Sequence, residues 1–298
     1  MRSHALTDNA PRFAGSINAG TIQVSIQERV GIIGVGRMGQ PMVKHMLAHG
    51  YPVAALDISA ENSAKVKAMG AIIATDAASL ARDSSFVILG VGYDDEVNAV
   101  CLGGQGVFSS LAKGGIVAVS STVAPDTVKR LQDVAAKTGC FVLDAPICRG
   151  RWFADEGKLL ALFGGAEDVV ARGRKVYSAF CSDIAHLGEV GHGQVAKGLN
   201  NLMLWITSIG LIEAGRIAES TGIDLPKLRD ALMLSSGKSQ ALEDWDQTTF
   251  TWALKDMQIV GGMADAAGLS LPITGAVKEL VKEARRVKAA NPPGWTRK

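Results

Sequence analysis

Three groups of residues in this 298-residue sequence have types and spacings that could do chemistry. The first is Gly34-Val35-Gly36-Arg37-Met38-Gly39, which follows an apolar run and opens an amphipathic stretch. Glycines so spaced allow a tight turn, let backbone approach a pyrophosphate, and pack a helix against the preceding strand. The helix N-terminus then faces the anion. The motif alone is common; its weight here comes from Asp57, which ends the next apolar run, Val53-Ala54-Ala55-Leu56-Asp57. A carboxylate at that point accepts hydrogen bonds from ribose hydroxyls and repels a 2′-phosphate. No arginine follows within Ile58 to Asn62. The expected cofactor is therefore NAD in preference to NADP.

The second group is Gly191-His192-Gly193-Gln194-Val195-Ala196-Lys197-Gly198-Leu199-Asn200-Asn201. On a helix Lys197 and Asn201 share a face, with Asn200 beside them. A lysine and two amides open an otherwise apolar helix, which suits a proton-transfer site. Partial burial lowers a lysine's pKa and lets it exchange protons near neutral pH. A lysine snorkelling at a helix start fits the same residues. The third group, Lys255-Asp256, reads first as a solvated ion pair on an amphipathic helix. His45 and His49 are one turn apart without a carboxylate between them, and no metal site is expected.

These groups need elements to hold them. From residue 30 onward, apolar runs of three to six residues (30–35, 53–56, 86–89, 116–119 and 141–143) alternate with helix-like stretches at 38–49, 60–69, 94–100 and 125–138. Buried parallel strands joined by helices give that pattern, in a doubly wound, mostly parallel sheet. Runs at 159–163 and 184–187 are candidate further strands. After residue 192 the pattern is helical, at 194–220, 226–234, 252–267 and 273–287. The expected fold class is thus α/β followed by all-α. Residues 1–29 read as a loose extension without a signal peptide, 30–192 as the dinucleotide-binding domain, and 193–298 as a helical substrate and dimerisation domain. The tail 291–298 (NPPGWTRK) cannot continue a helix and reads as loose.

Composition narrows the function classes. The net charge of +2 offers no basic field for nucleic acid or an anionic membrane surface. The longest uncharged run considered as a membrane span, 198–212, is short of the roughly 20 residues required. Cys101, Cys140, Cys148 and Cys181 form no CxxC pair, so they read as free thiols in a reducing cytoplasm.

In family order, several segments resemble the β-hydroxyacid dehydrogenases. They are Gly34-Val-Gly36-Arg37-Met38-Gly39-Gln-Pro41-Met42, Ser121-Thr122-Val-Ala-Pro125, Asp144-Ala-Pro146, Gly157-Lys-Leu to Gly164-Gly165, the 197–201 stretch, and Lys255-Asp256. The resemblance covers roughly residues 30 to 275. It implies a Rossmann domain and a helical domain whose long helix carries the catalytic lysine. Lys197 matches that lysine, Asn201 a substrate-holding asparagine, and Lys255 a second lysine near nicotinamide and substrate. Thr122 matches a nicotinamide-side residue, and Val91 and Gly92 the loop beside the adenosine ribose.

One segment departs from the family. Cys148-Arg149-Gly150 stands where Ser-Gly-Gly is usual. A thiol is a weak donor and a guanidinium a strong, forked anion binder. The substrate's acid group is therefore expected to meet Arg149, with Cys148 and Gly150 beside it. That favours a substrate with a strong or second anionic group. The expected activity is hydride transfer between NAD(P) and a small anionic β-hydroxy acid or its semialdehyde. Alternatives are a sulfolactaldehyde reductase-like enzyme, an imine reductase-like enzyme, and a cofactor-binding regulatory protein without catalysis. The apolar character of 194–220 predicts a homodimer or homotetramer.

Overall fold

The computed structural model describes residues 28–296. The extension expected at the N-terminus lies outside these, apart from Glu28 and Arg29. Six short strands form one parallel sheet: β1 (Val30–Ile33), β2 (Val53–Leu56), β3 (Ile72–Ile73), β4 (Phe86–Leu89), β5 (Ile116–Val119) and β6 (Phe141–Asp144). Their order is β3-β2-β1-β4-β5-β6, so the order reverses between β1 and β4, where open α/β sheets bind ligands. β1, β4 and β5 are buried at every position because helices cover both faces of the sheet. The crossover helices are α1 (Gly39–Ala48), α2 (Ala60–Ala68), α3 (Ala77–Arg82), α4 (Asp94–Cys101) and α5 (Pro125–Thr138). α5 shows how local sequence sets these bounds. Pro125 occupies its first turn, where a missing N–H costs nothing, and Gly139 ends it at φ 74°.

Beyond β6 the chain builds a separate three-stranded sheet instead of extending the first. β7 (Ile147–Cys148) pairs antiparallel with β8 (Leu159–Phe163), which pairs parallel with β9 (Cys181–His186). α6 (Gly150–Asp155) and α7 (Glu167–Tyr177) lie between these strands in sequence. The short pieces β3, α3 and β7 escaped the sequence reading because they are too brief for periodicity to register.

The helical half starts with the 29-residue α8 (His192–Ser220), then α9 (Leu225–Met233), α10 (Gln240–Glu243), α11 (Ala253–Ala266) and α12 (Pro272–Ala290). The run judged too short to span a membrane lies inside α8. By length and composition alone, α8 is long and apolar enough to cross one. In the fold it packs against α11, α12 and β8.

The reading of the C-terminal tail as loose is corrected by the structure. The helix does stop at Ala290, but Trp295 is fully buried in the helical core, and its indole N–H donates to the Leu211 carbonyl at 3.1 Å. Pro293 packs against Gly215 of α8, where a Cβ would come within 2.3 Å of the proline. Absence of helical pattern says nothing about a single large aromatic anchor.

Candidate active site

The glycine turn is shaped by contacts only glycine tolerates. Gly34 has φ 93°, and a Cβ there would lie 2.6 Å from the Gly90 carbonyl oxygen. A Cβ on Gly39 would lie 2.4 Å from the Gly34 carbonyl oxygen. Gly36 differs: a Cβ there meets nothing within 4 Å, so the backbone faces open space at the N-terminal side of α1. That cradle fits a pyrophosphate approaching backbone N–H groups. Asp57 stands beside it, its carboxylate accepting the Val35 N–H at 2.7 Å and the Ser59 N–H at 2.8 Å. Met38 and Val91 are half-buried against the two sheet cores, while Arg37 is exposed and its carbonyl accepts Arg151 Nη1 at 2.8 Å.

The lysines converge from the other side. Lys197 is half-buried one turn into α8, and its Nζ donates to the buried Cys148 Sγ at 3.7 Å. Lys255, near the start of α11, reaches back to the cofactor half and donates to the carbonyls of Thr122 at 2.7 Å and Gly92 at 3.4 Å. Burial pushes the Lys255 pKa down, opposed by the carboxylates of Asp256 and Asp94 and reinforced by the charge of Lys197. Lys255 therefore is no solvated ion pair. Asp256 is buried, 3.8 Å from Lys255, and accepts Asn201 Nδ2 at 2.9 Å and Trp205 Nε1 at 3.1 Å. Burial raises its pKa while both lysines draw it back. Asn200 donates to Asn201 Oδ1 at 3.0 Å, which fixes the Asn201 amide between two partners.

The structure thus brings Lys197 to Cys148, and Lys255 to Thr122 and Gly92. It does not bring Arg149 to them. Arg149 Nη1 donates to Asp183 Oδ2 at 2.6 Å, to Ser182 Oγ at 2.9 Å and to the Lys158 carbonyl at 3.0 Å, all on or beside the three-stranded sheet. The guanidinium expected to meet the substrate's acid group is here engaged by Asp183, Ser182 and the Lys158 carbonyl instead of standing beside Lys197 and Asn201. The reason is local. Arg149 has φ 86°, the left-handed region, so the backbone at the start of α6 turns its side chain toward β9. The same φ explains a glycine at this position in the family pattern. Gly150, also at positive φ, is exposed. His45 and His49 are spent on backbone carbonyls, those of Asp155 and His45.

Asp144 and Gln194 fall inside motifs the sequence displays, but sequence reasoning gave these buried polar residues no role, and it missed the aromatic pair Tyr93 and Trp252. The two rings meet edge to face at 5.7 Å across the gap between the halves, with Lys255 Nζ 5.5 Å from the Trp252 centroid. No spacing rule marks such pairs, because their partners lie 50 to 160 residues away in sequence.

Residues 29–188 match the family model described as the NAD binding domain of 6-phosphogluconate dehydrogenase. Residues 191–291 match the one described as NAD-binding of NADP-dependent 3-hydroxyisobutyrate dehydrogenase. Mitochondrial 3-hydroxyisobutyrate dehydrogenase of Mus musculus is 32% identical over 221 residues, 74% of this chain and 64% of that protein. The match thus spans less than two thirds of that relative's length. The 2-(hydroxymethyl)glutarate dehydrogenase of Eubacterium barkeri is 32% identical over 72% of this chain and 71% of its own length. The solved Mycobacterium tuberculosis 3-hydroxyisobutyrate dehydrogenase with L-serine superposes at a TM-score of 0.80 over 90% of this chain and 96% of that one. At 21% identity that likeness is one of fold.

Proposed function

This chain belongs to the β-hydroxyacid dehydrogenase family, and from that premise we propose that it transfers a hydride between NAD and the carbinol carbon of a small anionic β-hydroxy acid, or back to the semialdehyde. Lys197 is the proton-transfer group. The observation that carries this reading is the 3.7 Å contact between Lys197 Nζ and Cys148 Sγ, which joins the lysine to the loop that departs from the family pattern. When bound, the nicotinamide supplies or accepts the hydride. The chain's own residues do the rest. Lys197 Nζ takes the hydroxyl proton in oxidation and returns it in reduction. Asn201, its amide held by Asp256 and Asn200, orients a substrate oxygen, and so does the Lys255 ammonium at the rim of the nicotinamide-side loop. Cys148 lines the same corner as a small, weakly polar neighbour.

NAD is the proposed cofactor even though the helical half matches a model named for an NADP-dependent enzyme. A carboxylate already fixed beside the glycine turn repels a 2′-phosphate, and no cationic side chain follows it within five residues. Side-by-side kinetics that favour NADP would overturn that choice.

Assembly as a homo-oligomer is supported by α8. Leu199, Met203 and Ile217 are 51%, 63% and 66% exposed, and with Ile206 they fall on one stripe of the helix. The four buried free thiols suit a reducing compartment, and the cytoplasm is the proposed location.

Lys197→Ala tests the catalytic reading. It should lower kcat by at least ~100-fold, the low end for a general acid–base residue, while NADH affinity barely changes. Retention of more than roughly a tenth of wild-type kcat refutes the assignment.

A further inference from the structure

Two buried polar side chains tie the first turn of α8 to the cofactor half, and the chemistry assigned above uses neither. Asp144, at the end of β6, is fully buried. Its Oδ2 accepts the N–H groups of Gly191 and Gln194, both at 3.0 Å. Gly193 between them has no room for a side chain, since a Cβ would lie 2.9 Å from the Asp144 carboxyl carbon. Asp144 Oδ1 is buried without a hydrogen-bond partner, an expensive arrangement to keep for packing alone. Gln194, 1% exposed, works in the opposite direction. Its Oε1 accepts the Val123 N–H at 3.0 Å and its Nε2 donates to the Ser121 carbonyl at 2.9 Å.

The segment 121–123 is thus held from both sides by the helical half. Gln194 of α8 takes the groups at its ends, and Lys255 of α11 takes the Thr122 carbonyl in its middle. Lys197 follows Gln194 by three residues, so any shift of the first turn of α8 is passed directly to its Nζ. We infer that Asp144 and Gln194 are positioning residues. As a buried clamp, they set the first turn of α8 against the ends of β5 and β6 and thereby fix where Lys197 stands relative to residues 121–123. This rests on Lys197 being the proton-transfer group. Misplacing a reacting group by about an ångström can cost up to roughly a hundredfold in rate. The clamp therefore acts on kcat rather than on cofactor binding.

The test uses full-length protein with NAD and two probes, 3-hydroxyisobutyrate and L-serine. Gln194→Ala should lower kcat roughly tenfold, with KM and the NADH dissociation constant within about twofold of wild type. The deuterium isotope effect on kcat for substrate labelled at the carbinol carbon should rise, because hydride transfer becomes slower than product release. Gln194→Glu keeps the acceptor for Val123 and loses the donor to Ser121, and should fall between. Asp144→Asn, isosteric and still able to accept, should retain most of the activity that Asp144→Ala loses. Amide hydrogen exchange at residues 121–123 and 191–197 should quicken in Gln194→Ala. Wild-type kcat in Gln194→Ala overturns the inference, as does a loss of NADH binding in step with kcat. If wild type turns over neither probe, the exchange arm decides: unchanged protection at 121–123 in Gln194→Ala overturns the clamp. Lys197→Ala in the same assay separates the two claims. An active Lys197→Ala removes the catalytic reading, whereas an inactive Lys197→Ala beside a fully active Gln194→Ala removes the clamp alone.

Discussion

In the function proposed above, the cofactor half and the helical half of this chain work with different parts of the polypeptide. In the cofactor half the working surface is backbone: the open face of Gly36, a turn that exists because Gly34 and Gly39 lack a Cβ, and the carbonyls of Gly92 and Thr122. Asp57 is the main side chain involved, and it too is tied to a backbone N–H. In the helical half the working surface is side chains: Lys197 against Cys148, and Asn201 and Lys255 beside a buried carboxylate at Asp256. The two halves also differ in how they are covered. Helices bury both faces of the six-stranded sheet, while α8 leaves Leu199, Met203 and Ile217 in solvent. Backbone sites are built from local conformation. Side-chain sites depend on what a long helix is packed against, and α8 keeps a stripe of apolar side chains that nothing among the described residues covers.

The sharpest way to break this comparison is to damage one kind of surface and look for the other kind's symptom. Gly34→Ala forces a Cβ to within 2.6 Å of the Gly90 oxygen at φ 93°. A strain of about 1–3 kcal/mol should weaken NADH binding by roughly ten- to a hundredfold. At saturating NAD its kcat should stay near wild type, the reverse of the pattern expected for Lys197→Ala. Titration of NADH fluorescence together with steady-state kinetics checks both. If Gly34→Ala instead lowers kcat with normal NADH affinity, the division of labour between the halves is wrong.

The coverage difference gives a second, intermediate effect. Met203→Asp places a charge in the middle of the exposed α8 stripe and should dissociate the oligomer with little change in the far-UV spectrum. Light scattering at micromolar concentration reads the mass. A wild-type protein already at monomer mass would remove the oligomer from the proposal.

The smallest effect is expected at Arg149. Relief of the left-handed backbone by Arg149→Gly gains about 1 kcal/mol, and loss of the partly exposed bridge to Asp183 costs about 0–1 kcal/mol. The two nearly cancel, so the melting temperature should move by only a few degrees and the ranking of substrates should stay the same. A selective loss on one anionic substrate would mean that Arg149 leaves Asp183 to meet it.

Much of this protein was determined by the sequence alone. The glycine turn, Asp57 and the alternation of apolar runs with helices are local signals: backbone sterics within a few residues dictate them, and short-range spacing records them. The bounds of α5 followed from Pro125 and Gly139 for the same reason. Lys197 and Asn201 could be paired because one helix carries both. Tertiary structure alone decided the rest. It buried Lys255 against the Thr122 and Gly92 carbonyls, turned Arg149 away to Asp183, anchored the tail through Trp295, and spent Asp144 and Gln194 on joining the two halves. Each of these depends on a partner far away in the chain. Burial and hydrogen bonding are properties of a neighbourhood in space, and residue type and spacing carry no record of who the neighbours are.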